Sequence, residues 1–484
     1  VLGAASKAPD KVALEVLSRE RESWSFAQLE SAVRGVATGL ANLGLQPNDL
    51  VMLRLGNSAD FPIAYLGIIA AGMVAVPTSS ALTQSEITKM ARALNPVAIL
   101  QDDAIAAPDL SDVQSISLES LRQMYSLPPA PWHMGDPERP AYVVFTSGTS
   151  AAPRAVQHAH RAIWARRMMH KDWYDISSDD RLLHAGAFNW TFTLGTGLMD
   201  PWSVGATALI PEDGTLPEDL PDLLATHKAT LFAAAPGVFR KILRTEMPKL
   251  AHLRHALSAG EKMPIALHQA WKDMTGLNVY EAFGMSECST FISSSPSREA
   301  GHEQLGTPQT GRNVSVIKEN GQQASPCEIG TIAIHRSDPG LMLGYLNDTA
   351  ATKARFHGEW FLTGDLGHAD ETGAITYAGR SDDMINAGGF RLSPLEIEAL
   401  FQSEPAISQC AAIEISLKQD VTVIALCYVA NRDVEQSTLE ALAKRNLARY
   451  KQPRIYHPCD TLPSSANGKL LRRVLRAEIE AHYG

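Results

Sequence analysis

The chain has 484 residues, of which 45% are hydrophobic and 20% charged, and its net charge is -10. The length predicts about two to four domains, and the composition is that of a soluble globular protein able to build a core of enzyme size. The acidic balance argues against general nucleic-acid binding and against attraction to anionic membranes, so a negatively charged ligand needs a local positive site. Five cysteines, Cys288, Cys327, Cys410, Cys427 and Cys459, stand without C-x-x-C spacing. That dispersal points to reduced thiols in a cytoplasmic protein and to neither a disulfide framework nor a zinc site. No charged n-region opens the chain, so no signal peptide is expected.

Residues 26–43 have helical spacing, while 50–55 and 74–77 read as strands. This alternation predicts layered α/β structure. The apolar run 61–77 is broken by Pro62, Gly67 and Gly72, which predicts a helix running into a buried strand rather than a membrane span. The proline-rich stretch 126–140 predicts a surface connector. Residues 142–145 then read as a strand that breaks into Thr146, Ser147, Gly148, Thr149 and Ser150, with Arg154 just beyond. Hydroxyls and backbone N–H groups around one glycine suit an anion, but taken alone the segment fits a Ser/Thr-rich turn as well. It is not the loop of the P-loop NTPases, because no G-x-x-x-x-G-K-[ST] occurs.

Further along, 230–235 predicts a buried strand ended by Pro236 and Gly237. Between 305 and 380, the short runs 314–317, 331–334 and 374–377 are separated by Gly and Asn turns and predict antiparallel β-structure. Residues 379–389 read as a boundary. After it, Ser393, Pro394 and Glu396 predict a helix start, with Ser as N-cap, Pro at the first position and Glu closing a capping box. Residues 421–429 alternate as a strand, and the last hundred residues predict a small α+β domain. The basic stretch 469–476 reads as a solvated helix face.

Several short segments carry chemistry. Residues 258–261 are Ser-Ala-Gly-Glu after an apolar run, and 280–287 join an aromatic, a glycine and a carboxylate in Phe283, Gly284, Met285, Ser286 and Glu287. A ring beside a glycine makes a wall for a flat ligand, and the carboxylate can hold Mg²⁺. Thr363-Gly364-Asp365 follows an apolar run, Gly379-Arg380 marks the boundary, and Asn467-Gly468-Lys469 precedes Arg472 and Arg473. Each alone also fits core packing or an ordinary turn.

Together and in this order, these segments resemble the adenylate-forming superfamily of acyl- and aryl-CoA synthetases, adenylation domains and luciferases, over about residues 10–476. The resemblance implies an α/β fold: a large N-terminal domain, residues 1–380, of layered α/β subdomains plus a β-rich subdomain. A hinge at 381–382, with Asp382 at its centre, joins it to a small, mobile α+β domain at 383–484. It implies ATP, Mg²⁺ and coenzyme A. Thr146, Ser147, Gly148, Thr149, Ser150 and Arg154 hold the outer phosphates, and Ser286 faces the α-phosphate. Glu287 binds Mg²⁺. On the same resemblance Phe283 or its neighbour Gly284 packs on the adenine ring, and Ser258, Gly260 and Glu261 are further cofactor-binding residues. Asp365, Tyr377 and Arg380 hold the ribose. Lys469 neutralises charge at the reacting oxygens. After a domain rotation, Gly388, Gly389 and Arg391 face the site and the pantetheine thiol.

The acid is expected between Phe188, Trp190, Phe232, Ala234, Ala235, Ser258, Ala259 and Met285, in a stretch that more weakly resembles benzoate-type CoA ligases. No basic residue occurs in that set, so a small aryl or short-to-medium acyl acid is expected rather than a dicarboxylate. Free CoA is expected as acceptor ahead of a carrier protein, because the chain ends soon after Arg476 with no carrier domain. Two other readings stay open: an acyl-AMP ligase serving a carrier protein, and a nucleotide-binding relative with impaired turnover. Monomer or homo-oligomer is also open. The motive for the last reading is the loop itself, where Ala151 and Ala155 replace a usual Gly and Arg154 a usual Lys.

Overall fold

The computed structural model describes residues 1–17, 22–146, 154–301, 303–381, 383–387, 390–418, 421–464 and 470–483. The chain divides into two compact units. Among the described residues, the first holds 1–146, 154–313 and His335–Phe356, and the second holds Val314–Ile334 and those from His357 onward.

The first unit is built on two sheets. In one, Val12–Leu17, Thr207–Pro211, Arg181–Ala185, Leu231–Ala234, His255–Ala259 and Val279–Met285 run parallel side by side. The antiparallel strands Ser289–Ser293 and Gln304–Pro308 follow Val279–Met285. In the other, Val74–Pro77, Leu50–Arg54, Ala98–Gln101 and Gln114–Ser117 are parallel, and Pro140–Phe145 pairs with Val74–Pro77 on one side and antiparallel with Ala155–Ala159 on the other. Parallel strands of this kind need apolar cover on both faces. The expected helix and strands at 26–43, 50–55 and 74–77 appear as Phe26–Asn42, Leu50–Arg54 and Val74–Pro77. The apolar run 61–77 is a buried helix, Asp60–Ala70, followed by a buried strand. Among the described residues, no helix is long and apolar enough to cross a membrane.

Strand alternation sorts the large sheet into two faces. Leu183, Phe232, Ala234 and Ala256 pack with Phe239 and Trp271 on one face. Leu182, Ala233, Leu257, Ala259 and Ala282 pack with Trp173, Tyr174, Phe192 and Trp190 on the other.

The second unit carries the expected antiparallel strands Val314–Ile317 and Gly330–His335 and the hairpin Trp360–Ala369 with Ile375–Arg380. Its last part is a sheet of Ile407–Lys418, Val421–Ala430 and Ile455–Pro458. Pro394–Gln402 and Gln436–Asn446 cover one face through Ile397, Phe401 and Leu439. Arg472–Tyr483 covers the other through Leu475 and Ile479. The helix start at Ser393 is where the pattern predicts it, with Pro394 at the first position, but the capping box does not form: Ser393 makes no side-chain cap. Glu396 is drawn instead into an ion pair with Lys451, a partner that a local pattern does not contain.

Candidate functional site

The loop after Pro140–Phe145 is closed at its base. Thr146 N–H donates to Arg154 O at 3.0 Å, and Arg154 N–H donates to Thr146 Oγ1 at 3.2 Å. Ser147, Gly148, Thr149 and Ser150, with Ala151, lie outside the described residues. The Arg154 guanidinium stands 5.1 Å from the centroid of the Tyr345 ring, a cation–π contact. The Tyr345 hydroxyl in turn donates to Glu287 Oε1 at 2.7 Å. Glu287 is buried, and its backbone O accepts from Met342 N–H at 2.8 Å. Burial and the neighbouring Glu287 carboxylate push the Tyr345 hydroxyl well above its ordinary range, so Tyr345 stays a donor. Arg154, Tyr345 and Glu287 thus form one connected group at the loop base. Tyr345 was not expected from the sequence.

Ser286 is held by a second unexpected residue. His158, on the strand leaving the loop, donates from Nε2 to Ser286 O at 2.7 Å and stacks on Tyr142 at 4.8 Å. Burial lowers its pKa to about 4, so the ring is neutral and the proton that meets the carbonyl sits on Nε2. The loop strand and the Phe283–Glu287 segment are therefore tied by a direct bond.

Local geometry explains the glycines here. A Cβ on Gly284 would collide with Ser289 O in the adjacent strand, and Gly260 has φ of +101°, with the Trp190 ring 2.6 Å from where a Cβ would sit. Phe283 is half-buried and meets Phe291 edge-on at 5.5 Å. Trp190 is on the face of the sheet that also carries Ala259, and it meets Phe192 edge-on at 5.2 Å. Phe188 is buried against Phe61 at 5.2 Å, Ala235 caps the helix Pro236–Ile242, and Met285 is half-buried. Phe232 and Ala234 do not join this set: both belong to the opposite face, packed with Phe239 and Trp271. Ser258 follows the same alternation, being registered with Ala234, and its buried Oγ has no partner. The physical reason is parity, since residues one apart on a strand point to opposite sides. Ala259 and Ser258 cannot line the same wall.

In the second unit, Asp365 and Arg380 are directly opposite in the hairpin. Asp365 Oδ1 lies 3.5 Å from Arg380 Nη1 and accepts from the Tyr377 hydroxyl at 3.1 Å. Burial, then Asp365, pushes the Tyr377 hydroxyl well up. Asp365 is buried and its N–H donates to Thr363 Oγ1 at 3.1 Å. Gly364 and Gly379 both have positive φ, +80° and +114°, a backbone conformation that glycine adopts without steric cost. Arg391 is registered opposite Asn386 in a short hairpin. Asp382, Gly388, Gly389 and Lys469 lie outside the described residues. Just past Lys469, Arg472 Nη2 meets both oxygens of buried Glu398, at 2.6 and 2.7 Å. That pair, too, was not read from the sequence.

A family model described as AMP-binding enzyme matches residues 3–346, well over half of the chain, and one described as AMP-binding enzyme C-terminal domain matches 396–469. The chain belongs to the AMP-binding enzyme family. Among the relatives of this AMP-binding enzyme is an uncharacterised acyl–CoA ligase, YtcI, of Bacillus subtilis (strain 168). It is 27% identical, over 98% of this chain and 94% of its own. The benzoate–CoA ligase of Thauera aromatica is also 27% identical, over 94% and 91%. In fold, the ATP-bound MatB of Rhodopseudomonas palustris superposes with a TM-score of 0.90 at 24% identity, covering 98% of this chain and 97% of that one.

Proposed function

We propose that this AMP-binding enzyme is an AMP-forming acid–CoA ligase: it joins a carboxylic acid to ATP as an acyl-adenylate, releases pyrophosphate, and passes the acyl group to the thiol of CoA. The observation that carries this reading is the group Arg154–Tyr345–Glu287 at the base of the hydroxyl-rich loop, a guanidinium that can pair with phosphate beside a buried carboxylate that can hold Mg²⁺. The acid–CoA ligases among the relatives support the choice of acceptor.

In the first half-reaction two anions must meet, the acid's carboxylate and the α-phosphate. The loop N–H and hydroxyl groups, Arg154 and Lys469 offset that repulsion and hold an in-line approach. His158 fixes the Ser286 backbone at the α-phosphate side. Asp365, steadied by Tyr377 and Arg380, accepts from the ribose hydroxyls, which one carboxylate can do with both oxygens. Glu287 fits Mg²⁺ as a hard oxygen donor. Among the described residues, no group of three His, Cys, Asp or Glu could hold a metal unaided, so the remaining ligands would be phosphate and water oxygens. Bound there, the ion would neutralise phosphate charge. In the second half-reaction the thiol attacks the acyl carbonyl and AMP leaves. A hinge at 381–382 between domains 1–380 and 383–484 would exchange Lys469 for the Gly388–Gly389 segment at one site, a motion about a few boundary residues.

The acid is a small aryl or short-to-medium acyl acid. The test is pyrophosphate release from a panel of such acids with ATP and Mg²⁺, repeated with and without CoA. Release that depends on the acid, with thioester formed only when CoA is present, is the expected result. No release from any acid would sink the catalytic reading, and release with no thioester would point to a carrier-protein acceptor.

A further inference from the structure

The face of the large sheet that carries Trp190 and Ala259 also carries two buried histidines, of which His255 is paired with Tyr174 O at 2.9 Å and His184 is not. His184 lies on Arg181–Ala185, two residues from Leu182 and on the same face, registered opposite Ala233. It is 3% exposed, and neither of its ring nitrogens has a partner. Thr193, fully buried, has an equally unpartnered Oγ1. The two side chains converge: a Cβ on Gly186 would sit 2.7 Å from Thr193 Oγ1 and 3.0 Å from the His184 ring, and both side chains also border Gly197. Burial lowers the His184 pKa to about 3, so the ring is neutral, with one donor and one acceptor. Two of these buried polar atoms, His184 Nδ1 and Thr193 Oγ1, meet at one spot, and leaving them without partners is costly unless something fills it.

The packing between that place and Gly260 is aromatic. The Trp190 ring covers Gly260, Phe192 meets Trp190 edge-on, and His184 meets Phe192 edge-on at 4.5 Å. An acid with its carboxylate end near Gly260 would bring its far end to His184 by displacing these rings. The neighbouring cation, Arg166, is committed to Asp200 through Nε and Nη2 at 2.9 and 2.6 Å and to Ser289 Oγ through Nη1, so all three of its nitrogens are already engaged.

We infer that His184 and Thr193 form the polar floor of the acid pocket, and that the acid carries an uncharged hydrogen-bonding group, a hydroxyl or an amine, at the end remote from its carboxylate. This rests on the acid–CoA ligase reading. The hydroxyl or amine donates to the imidazole acceptor nitrogen and accepts from the Thr193 hydroxyl or the imidazole N–H. An acid lacking the group leaves those atoms unpaired, which is the strong direction of discrimination.

The test uses the full chain with ATP, Mg²⁺ and CoA, and matched acids: benzoate, 4-methylbenzoate, 3- and 4-hydroxybenzoate, 3- and 4-aminobenzoate, hexanoate and 6-hydroxyhexanoate. At least one hydroxylated or aminated acid should exceed its methyl or unsubstituted analogue roughly tenfold or more in kcat/KM. His184→Phe and Thr193→Val should each lower that ratio, mainly through KM for the substituted acid, and His184→Asn, which keeps a donor and an acceptor, should restore part of it. If His184→Phe does not fold, the near-isosteric Thr193→Val decides. Turnover of unsubstituted acids with no such preference, or a ratio unmoved by the variants, overturns this inference and leaves the ligase reading standing. No pyrophosphate from any acid overturns both.

Discussion

Replacing Arg472 with Met would test how the segment next to Lys469 is held. Arg472 meets both carboxylate oxygens of Glu398, whose side chain is only 6% exposed, and Ala412 N–H adds a third bond to Glu398 Oε1 at 2.7 Å. Burial already pushes the Glu398 carboxyl above its ordinary range against the pull of Arg472. Burial also disfavours the charged Arg472, but Glu398 carries its pKa up on balance. Removing the cation leaves a buried carboxylate with one N–H, a loss on the order of 3–5 kcal/mol. The cost should depend on pH in a definite direction. An acid whose folded pKa is raised binds its proton more tightly when folded, so its penalty is absent below the unfolded pKa and grows as pH rises through the folded one. With Arg472 gone that folded pKa rises further, so the loss should be full at pH 8 and should shrink as pH falls towards 5. The assay is native-state hydrogen exchange, with the Ala412 amide as reporter. At about 1.4 kcal/mol per decade, its protection should fall by roughly two to nearly four orders of magnitude. Glu398→Gln combined with Arg472→Met should recover much of the loss. A fall of less than tenfold that is the same at pH 5 and pH 8 would refute the reasoning.

Other expectations follow from single contacts. Tyr345→Phe removes a hydrogen bond to a buried carboxylate, worth on the order of 1.5–3 kcal/mol; pyrophosphate release should fall by roughly tenfold or more and need more Mg²⁺, and an unchanged Mg²⁺ titration would count against the role given to Glu287. Asp365→Ala leaves Tyr377 and Arg380 without their shared acceptor, so KM for ATP should rise about tenfold, and preference for ATP over 2′-deoxy-ATP should vanish if the ribose is held there. Lys469→Ala should cut adenylation by roughly a hundredfold or more with little change in ATP affinity measured by fluorescence titration; a parallel loss of affinity would assign it to binding instead. Ala151→Gly with Arg154→Lys should raise the adenylation rate if the loop substitutions limit it, and an unchanged rate would show them harmless.

What could be read from the sequence and what could not divide on physical grounds. The Phe283–Glu287 segment, Thr363-Gly364-Asp365 and Gly379-Arg380 are legible because their constraints act within a few residues. Gly284 has no room for a Cβ, and Gly364 and Gly379 hold positive φ, so the chemistry stamps a short pattern. The α/β layering was legible for the same reason, through strand and helix periods. The acid wall was legible only in part: period two separates Ser258 from Ala259, but that Ala234 shares the face of Ser258 and that Trp190 packs on the face of Ala259 depends on strand register and tertiary packing, which no local pattern carries. Partners far apart in the chain were invisible: His158 for Ser286, Arg472 for Glu398, Tyr345 for Glu287. The last of these bears on the loop's departure from its usual lysine. A guanidinium is planar and stacks on a ring face, whereas an ammonium is a compact point charge. Arg154 lies over the Tyr345 ring that grips Glu287, so the substitution has a partner in place. The loop's altered cation is therefore built into the site, which argues for working catalysis over a relative that has lost it.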